Sequence, residues 1–200
     1  MQKIVVGITG ASGSIYGLRL VEELLCSGKQ VCLLLSNAGK QVLGYETGLQ
    51  LAEDAQHCEQ QLRTYFNADA SLTHFAINDF FASVASGSSA PDAVVICPCS
   101  MGSVGRIAAG LSDNLLERVA DVALKERKQL LLVPRETPFN QLHLENLLRL
   151  SKAGAHILPA MPAFYHQPKS VEELVDFVVG KVLDNLGVEH TLFQRWGAEE

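Results

Sequence analysis

The sequence predicts an α/β protein in which helices cover both faces of a mainly parallel sheet, a three-layer αβα sandwich. Apolar stretches rich in Val, Ile and Leu alternate with helical patterns along the 200 residues. Strands that are buried on both faces form continuous apolar runs, which is typical of parallel sheets joined by helices. No linker or internal repeat interrupts the pattern. We therefore expect one domain over 1–200, with a C-terminal tail from about 187.

The predicted elements follow one another in a regular order. Strands are predicted at 3–9, 30–36, 72–77, 92–99, 129–133 and 155–160. Helices are predicted at 14–27, 38–46, 103–109, 114–128, 138–152 and 171–186. Ser170 and Glu173 suggest a capping box at the start of the last helix, and Gly187 follows its end. Residues 50–72 are polar and predict no clear element, and 78–91 is expected to be a loop.

Composition and charge exclude several classes of protein. The net charge is −6, so a general nucleic-acid or anionic-membrane surface is not expected. No apolar run reaches membrane-spanning length and no signal peptide precedes the first strand, so we expect a cytoplasmic protein. An odd number of cysteines, five, argues for reduced thiols. Cys97 and Cys99 are expected on the same side of their strand, but no further ligands have zinc-site spacing, so no metal site is predicted.

The loop GITGASGSIYG, residues 7–17, joins the first strand to the first helix. Gly10 and Gly13 allow a tight turn, and Ser12 adds a hydroxyl near a helix start, where amides and the helix dipole favour an anion. The glycine spacing is not GxGxxG, and the second strand ends in Ser36 rather than in an acid that would bind a ribose. The loop therefore favours a phosphate-bearing mononucleotide over NAD. A glycine turn needed only for packing is the alternative.

A second loop of this kind is CPCSMGSVGRIAAG, residues 97–110. Ser100, Gly102 and Ser103 lie between a strand and a helix, again at a helix start that favours an anion. Ligands of parallel sheets bind at the carboxyl ends of the strands, so both loops are expected to contact one extended ligand. An ordinary strand–helix turn is the alternative.

Charged residues follow the strand at 129–133 and line the helix before it. Arg135 and Glu136 stand where the strand meets the ligand-binding edge, and a simple salt bridge between them is the alternative to a ligand role. The helix at 114–128 is apolar nearly all round, which favours burial on two sides, one against its own sheet and the other against a neighbouring subunit. Arg118 and Lys125 share one face of it, unless they are merely a solvated pair of cations.

Several stretches together resemble the flavin prenyltransferases of the UbiX/Pad type. They are TGASGSIYGLRL (9–20), ETG (46–48), ASGSSAP (85–91), VICPCS (95–100), ADVALKER (120–127), LLLVPRETP (130–138) and PAFYHQP (162–168). The resemblance covers nearly the whole chain and is weakest at 50–77. It implies a Rossmann-like (flavodoxin-like) three-layer αβα sandwich, in agreement with the fold that the residue pattern predicts.

The resemblance also implies a function. Members of this family bind FMN and, without a metal, transfer a dimethylallyl group from dimethylallyl monophosphate to N5 and C6 of the reduced flavin. The product, prenyl-FMN, is the cofactor of UbiD-type decarboxylases, and several members belong to ubiquinone biosynthesis. Members form trimers that assemble into dodecamers, with the site between subunits.

Site residues follow from the same resemblance. Cofactor binding is implied for Gly10, Ala11, Ser12, Ser36, Ser100, Met101, Gly102, Ser103 and Arg135. Substrate binding is implied for Arg118, Lys125, Arg135, Glu136, Tyr165, Lys181, Phe80 and Trp196. Catalytic roles are implied for Ser12, Glu46 and Glu136, of which Glu136 would hold nearby cations in place or exchange a proton with the departing phosphate. Cations suit that phosphate and aromatic faces suit an allyl cation.

Two positions depart from the family pattern. Many members have an arginine where Lys181 stands, so this chain keeps the charge but lacks a bidentate fork. Phe80 replaces a tryptophan of some members.

Two other functions compete with prenyl transfer. One is a flavin-dependent decarboxylase that acts on a cysteine-containing peptide or a pantothenate derivative, but CPCSMGS does not match the PASANT-like motif of those proteins. The other is a non-catalytic flavin carrier, but one FMN phosphate does not need four cations.

Overall fold

A six-stranded sheet forms the centre of the protein, whose computed structural model describes residues 2–197. The strands are β1 (Lys3–Ile8), β2 (Gln30–Leu35), β3 (Leu72–His74), β4 (Ala93–Cys99), β5 (Gln129–Pro134) and β6 (His156–Ile157). Their order is β3-β2-β1-β4-β5-β6, and every neighbouring pair is parallel. The chain runs outward from β1 in one direction and from β4 in the other, so a crevice opens at the carboxyl ends of these two central strands.

Within residues 2–197, seven α-helices cover the two faces of this sheet. They are α1 (Ser14–Cys26), α2 (Asn37–Thr47), α3 (Ala55–Phe66), α4 (Met101–Ala108), α5 (Leu115–Lys125), α6 (Gln141–Lys152) and α7 (Val171–Leu186). Buried residues of α1, α2, α3 and α7 form one apolar core, and those of α4, α5 and α6 form the other. The flavodoxin-like αβα fold is thus confirmed. None of the helices within 2–197 combines the length and apolar character that a bilayer span requires.

Several boundaries differ from the prediction. Residues 55–66 form α3, which the polar sequence did not indicate, and the side chain of Asp54 caps its first turn. The helix expected from 138 begins at Gln141, because Asn140 and His143 form a reciprocal capping box there. At the last helix only half of the expected box forms. Ser170 accepts the amide of Glu173, whereas the Glu173 carboxylate accepts the amide of Lys169.

The expectation that Cys97 and Cys99 point to the same side of β4 is wrong. Cys97 belongs to the core beneath α1 and α7, and Cys99 belongs to the core beneath α4 and α5. The pairing of β4 with β5 shifts register between Ile96 and Cys99, and such an irregularity changes the alternation of side chains. Burial raises the pKa of Cys99 to about 12, so this thiol is an apolar core group.

Helix α5 is enclosed on two sides, as its composition predicts, but a neighbouring subunit is not needed for this. The second side packs against the chain's own segment 82–85, whose Ala82, Val84 and Ala85 join the same core. Arg118 anchors the segment by donating from Nε to the Ala85 carbonyl at 3.0 Å.

Candidate active site

The loops after β1, β4 and β5 meet at the carboxyl edge of the sheet. Arg135 follows β5, and its Nε donates to the carbonyl oxygen of Ser12 in the loop after β1, at 3.0 Å. The backbone amide of Arg135 donates to the Cys99 carbonyl at the end of β4. Arg135 therefore spans β4 and places a guanidinium between the two loops that the sequence predicts to bind a ligand.

Thr9 joins the loops after β1 and β4 directly. Its buried hydroxyl donates to the Pro98 carbonyl at 2.8 Å and accepts the Ser100 amide at 2.7 Å. Sequence reasoning did not select this residue. The available signal was a threonine that ends an otherwise apolar strand.

The start of α4 presents unsatisfied backbone donors at this edge. Ser100 caps the helix by accepting the Ser103 amide at 3.2 Å, and the two hydroxyls lie 3.0 Å apart. Within 2–197, the amides of Met101 and Gly102 have no hydrogen-bond partner. Amides at a helix start bind anions and polar ligand atoms, so this is a ready binding surface.

The first turn of α2 closes the opposite side. Ser36 caps it by accepting the amide of Gly39 at 3.0 Å. Gly10 lies so close to this turn that an added Cβ would stand 2.6 Å from Cβ of Ala38. Gly10 is thus needed for the approach of two backbone segments.

The expectation that the start of α1 binds a ligand anion must be corrected, because the chain supplies its own. The Glu46 carboxylate accepts the amide of Gly13 at 2.9 Å and that of Ser14 at 2.8 Å. Burial alone would raise the pKa of Glu46, but the hydrogen bonds from Ser12, Ser14 and Gly13 outweigh it and hold the pKa below its ordinary value. Glu46 is therefore an ionised cap of α1.

A group of aromatic side chains lies beside the first turns of α7. The Tyr165 ring is 5.1 Å from the Trp196 ring and 5.9 Å from the Phe177 ring, both edge-on. Lys181 lies one turn further along α7, with Nζ 3.5 Å from Asp184 and 6.0 Å from the centroid of Phe193. The fold thus brings Tyr165, Trp196 and Lys181 to one side of the sheet.

Comparison with known proteins identifies the family. A family model described as Flavoprotein matches residues 1–183. The flavin prenyltransferase UbiX of Pseudomonas aeruginosa is 50% identical over 199 residues, which cover 99% of this chain and 95% of that protein. The UbiX of Halalkalibacterium halodurans is 52% identical over 194 residues, 97% of this chain and 93% of that protein. This chain belongs to the UbiX flavin prenyltransferase family.

Solved structures of UbiX proteins share its fold. A crystal structure of AnUbiX (PadA1) in complex with FMN and dimethylallyl pyrophosphate matches with a TM-score of 0.89 at 37% identity, covering 100% of this chain and 99% of that one. A dodecameric FMN-dependent UbiX-like decarboxylase from Escherichia coli O157:H7 matches with a TM-score of 0.87 at 37% identity, covering 98% and 100%. A PPC decarboxylase mutant, at 17% identity and a TM-score of 0.59, shares the fold alone.

The structure does not bring together all residues that the UbiX resemblance implies. Arg118 and Lys125 lie on α5, whereas Tyr165 and Lys181 lie on the opposite face of the sheet with α7. Arg118 pairs with Asp121 at 3.0 Å, and Lys125 pairs with Glu126. One chain alone therefore cannot surround a single small substrate with all these cations.

The loop 78–89 borders the α5 side. Phe80 in this loop is 44% exposed, and within the described residues it has no contact with the rings around Tyr165. Gly87, which sequence reasoning did not select, lies so close to α5 that an added Cβ would stand 2.6 Å from Nζ of Lys125. In the sequence, only the glycine in ASGSSAP could have indicated this close approach to α5.

Glu136 does not hold Arg135. Its carboxylate accepts the amide of Thr137 at 3.0 Å, and no ion pair of Glu136 occurs within residues 2–197. The simple salt bridge between Arg135 and Glu136 is therefore not formed, and the arginine is held by Ser12 instead. No cluster of three or more His, Cys, Asp or Glu side chains in this part of the chain is arranged to bind a metal ion.

Proposed function

We propose that this chain transfers a dimethylallyl group from dimethylallyl monophosphate to N5 and C6 of reduced FMN. Its place in the UbiX family supports this, together with the FMN and dimethylallyl pyrophosphate bound in the similar AnUbiX structure. The observation that carries the proposal is the position of Arg135. Its Nε is fixed on Ser12, while its two terminal amino groups make no hydrogen bond within 2–197. A fixed cation with spare donors at the ligand-binding edge suits a phosphate-bearing ligand.

The residues at this edge fit FMN by their chemistry. Phosphate and polyol oxygens require donors, and the free amides of Met101 and Gly102 supply them together with the hydroxyls of Ser36, Ser100 and Ser103. A Cβ built on Gly102 meets no atom nearer than Ser100 Oγ at 3.9 Å, so the backbone is open to a flat ring. Gly10, Ala11 and Ser12 would line the opposite side. The reduced flavin supplies the electron-rich atoms that accept the prenyl group.

The residues beside α7 would bind the dimethylallyl phosphate. Breaking the allylic C–O bond places negative charge on the phosphate, which Lys181, Arg135 and the Tyr165 hydroxyl would stabilise. A hydrogen bond to a charged group contributes about 1.5–3 kcal/mol, and each 1.36 kcal/mol gained only in the transition state is about tenfold in rate. The faces of Tyr165 and Trp196 would stabilise the positive allyl group.

The three residues with implied catalytic roles, Ser12, Glu46 and Glu136, would contribute in different ways. The low pKa of Glu46 makes it a poor proton store at neutral pH. Its part is therefore to orient the Ser12 hydroxyl and the loop that carries it. Glu136 keeps one carboxylate oxygen clear of its contact with Thr137, and it would exchange a proton with the departing phosphate.

Arg118, Lys125 and Phe80 would act in the site of a neighbouring subunit. The separation of α5 and α7 by the sheet supports this, as does the dodecamer formed by the similar E. coli protein. The proposal thus includes a homo-oligomer of one-domain chains, trimers assembling into a dodecamer. It also includes a cytoplasmic location and delivery of prenyl-FMN to a UbiD-type decarboxylase.

Mass spectrometry of the flavin tests the reaction. The protein is incubated without oxygen with reduced FMN and either dimethylallyl monophosphate or the diphosphate. We expect the flavin to gain the mass of one isoprene unit, with the monophosphate preferred. Unmodified FMN from a folded, flavin-loaded protein would instead favour a flavin-dependent decarboxylase or a flavin carrier.

A further inference from the structure

The C-terminal segment, residues 188–197, folds back along α7, and Gly180 makes room for it. A Cβ on Gly180 would lie 2.5 Å from Cε1 of Phe193 and 2.7 Å from Cε1 of His190. A glycine inside a helix costs about 1 kcal/mol relative to alanine. The close seating of both rings explains why this position of α7 lacks a side chain.

Asp184, one turn beyond Gly180, fastens the same segment by its carboxylate. Arg195 reaches it with both terminal amino groups, at 2.6 Å to Oδ1 and 3.3 Å to Oδ2. His190 adds a third bond, from Nε2 to Oδ1 at 3.2 Å. Because His190 Nδ1 accepts the Leu192 amide, Nε2 carries the ring proton and donates it to Asp184.

Asp184 remains an anion in this setting. Burial would raise the pKa of Asp184, but the hydrogen bonds from Arg195 and His190 outweigh burial and lower it. Arg195 binds this carboxylate with two parallel hydrogen bonds, an arrangement that holds the segment more firmly than the single hydrogen bond from His190.

The docked segment ends at the proposed substrate site. Trp196 directly follows Arg195, and its ring lies 5.1 Å from that of Tyr165 while remaining 80% exposed. An exposed ring does not hold a tail by its own burial, so the anchor must lie elsewhere. We infer that Asp184 is a positioning residue of the substrate site, which fixes the C-terminal segment so that Trp196 lies against Tyr165. This inference rests on the proposed function of Tyr165 and Trp196.

Asp184 also sets the resting position of Lys181. The Lys181 ammonium lies 3.5 Å from Oδ2, and about half of its side chain is exposed. Exposed pairs of this kind contribute little, about 0–1 kcal/mol. Lys181 can therefore turn to a substrate phosphate while Arg195 balances the charge of the carboxylate and both Arg195 and His190 keep the segment docked.

Two variants test the inference in the full-length protein. Asp184→Asn removes the charge but keeps the shape. Gly180→Ala favours α7 itself and displaces Phe193 and His190. Asp176→Asn is the matched control, because Asp176 lies on the same helix but pairs with Arg19 of α1 at 2.7 Å. The chain has a single tryptophan, Trp196, so its fluorescence anisotropy reports docking of the segment without any substrate.

We expect both variants to lower the anisotropy of Trp196. We also expect kcat/KM for dimethylallyl monophosphate to fall about tenfold, mostly through KM, with flavin affinity unchanged. The control should match the wild type in all three measurements. Unchanged anisotropy in both variants would disprove the docking role, and lowered anisotropy with unchanged KM would disprove the substrate role. A wild-type protein that makes no prenylated flavin would instead overturn the proposed function, and the anisotropy would still decide whether Asp184 docks the segment.

Discussion

The carboxylate of Glu46 at the end of α2 lies 2.9 Å from the amide nitrogen of Gly13 at the start of α1. Gly13 occupies the N-cap position with φ +103°, and it has no side chain with which to cap the helix. A residue distant in sequence thus caps α1 and fixes the loop that carries Ser12. Stability and site geometry therefore depend on one carboxylate.

Replacing this carboxylate should weaken the fold and change its response to acid. We expect Glu46→Gln to reduce the free energy of unfolding at pH 7 by about 1 kcal/mol, the value of one charged helix cap. The folded pKa of Glu46 lies below its ordinary value of 4.5. Its contribution is therefore complete above pH 4.5 and is lost as the pH falls through the folded pKa. Urea unfolding at several pH values measures this difference.

Glu22→Gln is the control for that experiment. Glu22 also lies on α1, but it forms an exposed ion pair with Arg19, so its loss should change stability little. Equal acid sensitivity of the wild type and Glu46→Gln would contradict the capping role of Glu46.

Gly102→Ala should impair flavin binding without harming the fold. The added methyl group meets no atom nearer than 3.9 Å and lies on the surface proposed for FMN. A steric overlap of this size costs about 1–3 kcal/mol, so we expect the Kd for FMN to rise about tenfold or more. Flavin titration measures the Kd, and thermal unfolding of the flavin-free protein checks the fold. Gly105→Ala on the same helix faces Asn146 at 3.5 Å and should leave FMN binding unchanged.

Glu136→Gln should slow prenyl transfer and leave flavin binding intact. The amide side chain can still accept the Thr137 amide, but it cannot accept a proton from the reacting groups. We expect kcat to fall about 100-fold, a typical loss for a general acid or base. Rapid quench of the prenylation reaction provides the rate. An unchanged rate would remove Glu136 from the proton path, and Glu145→Gln on the exposed side of α6 serves as the control.

Two inactive variants should regain prenylation activity when their subunits assemble into one oligomer. Lys125→Ala and Lys181→Ala are each expected to be nearly inactive, because each removes one cation from every site. If a site takes Lys125 from one subunit and Lys181 from another, random mixing should leave roughly a quarter of the sites intact. Prenylation assays after co-expression of the two variants measure this recovery. If the mixed oligomers do not regain activity, each site takes both lysines from one subunit, and the proposed sharing of the site between subunits is wrong.

The main features of the fold were predictable because the four central strands, β1, β2, β4 and β5, are nearly continuous apolar runs. Helix α3 was not, since only Cys58 and Leu62 of its residues are buried and the rest are polar or partly exposed. So narrow an apolar stripe gives a weak periodic signal, although Asp54 was a visible cap. The side reversal between Cys97 and Cys99 also escaped prediction, because a register shift depends on the neighbouring strand.

The site was predictable only where a residue type carries its chemistry by itself. Arg135 and Ser12 were selected, and the fold joins them by a hydrogen bond. Asp184 and Gly180 were not selected, because they act through partners that only the folded chain brings near. The sequence indicated a ligand anion at the start of α1 and not a carboxylate of the chain itself, since Glu46 is 32 residues from Ser14.

The Thr9 hydroxyl bonds to both Pro98 and Ser100, so the loops after β1 and β4 share a buried tether. Their spacing is set by the folded chain before any ligand arrives. A flavin that binds between the two loops loses its own conformational freedom, but the loops do not have to become ordered around it. Binding should therefore cost less conformational entropy than it would between independent loops. The site thus has a rigid part, formed by the two tethered loops, and a second part that Lys181 and Trp196 complete.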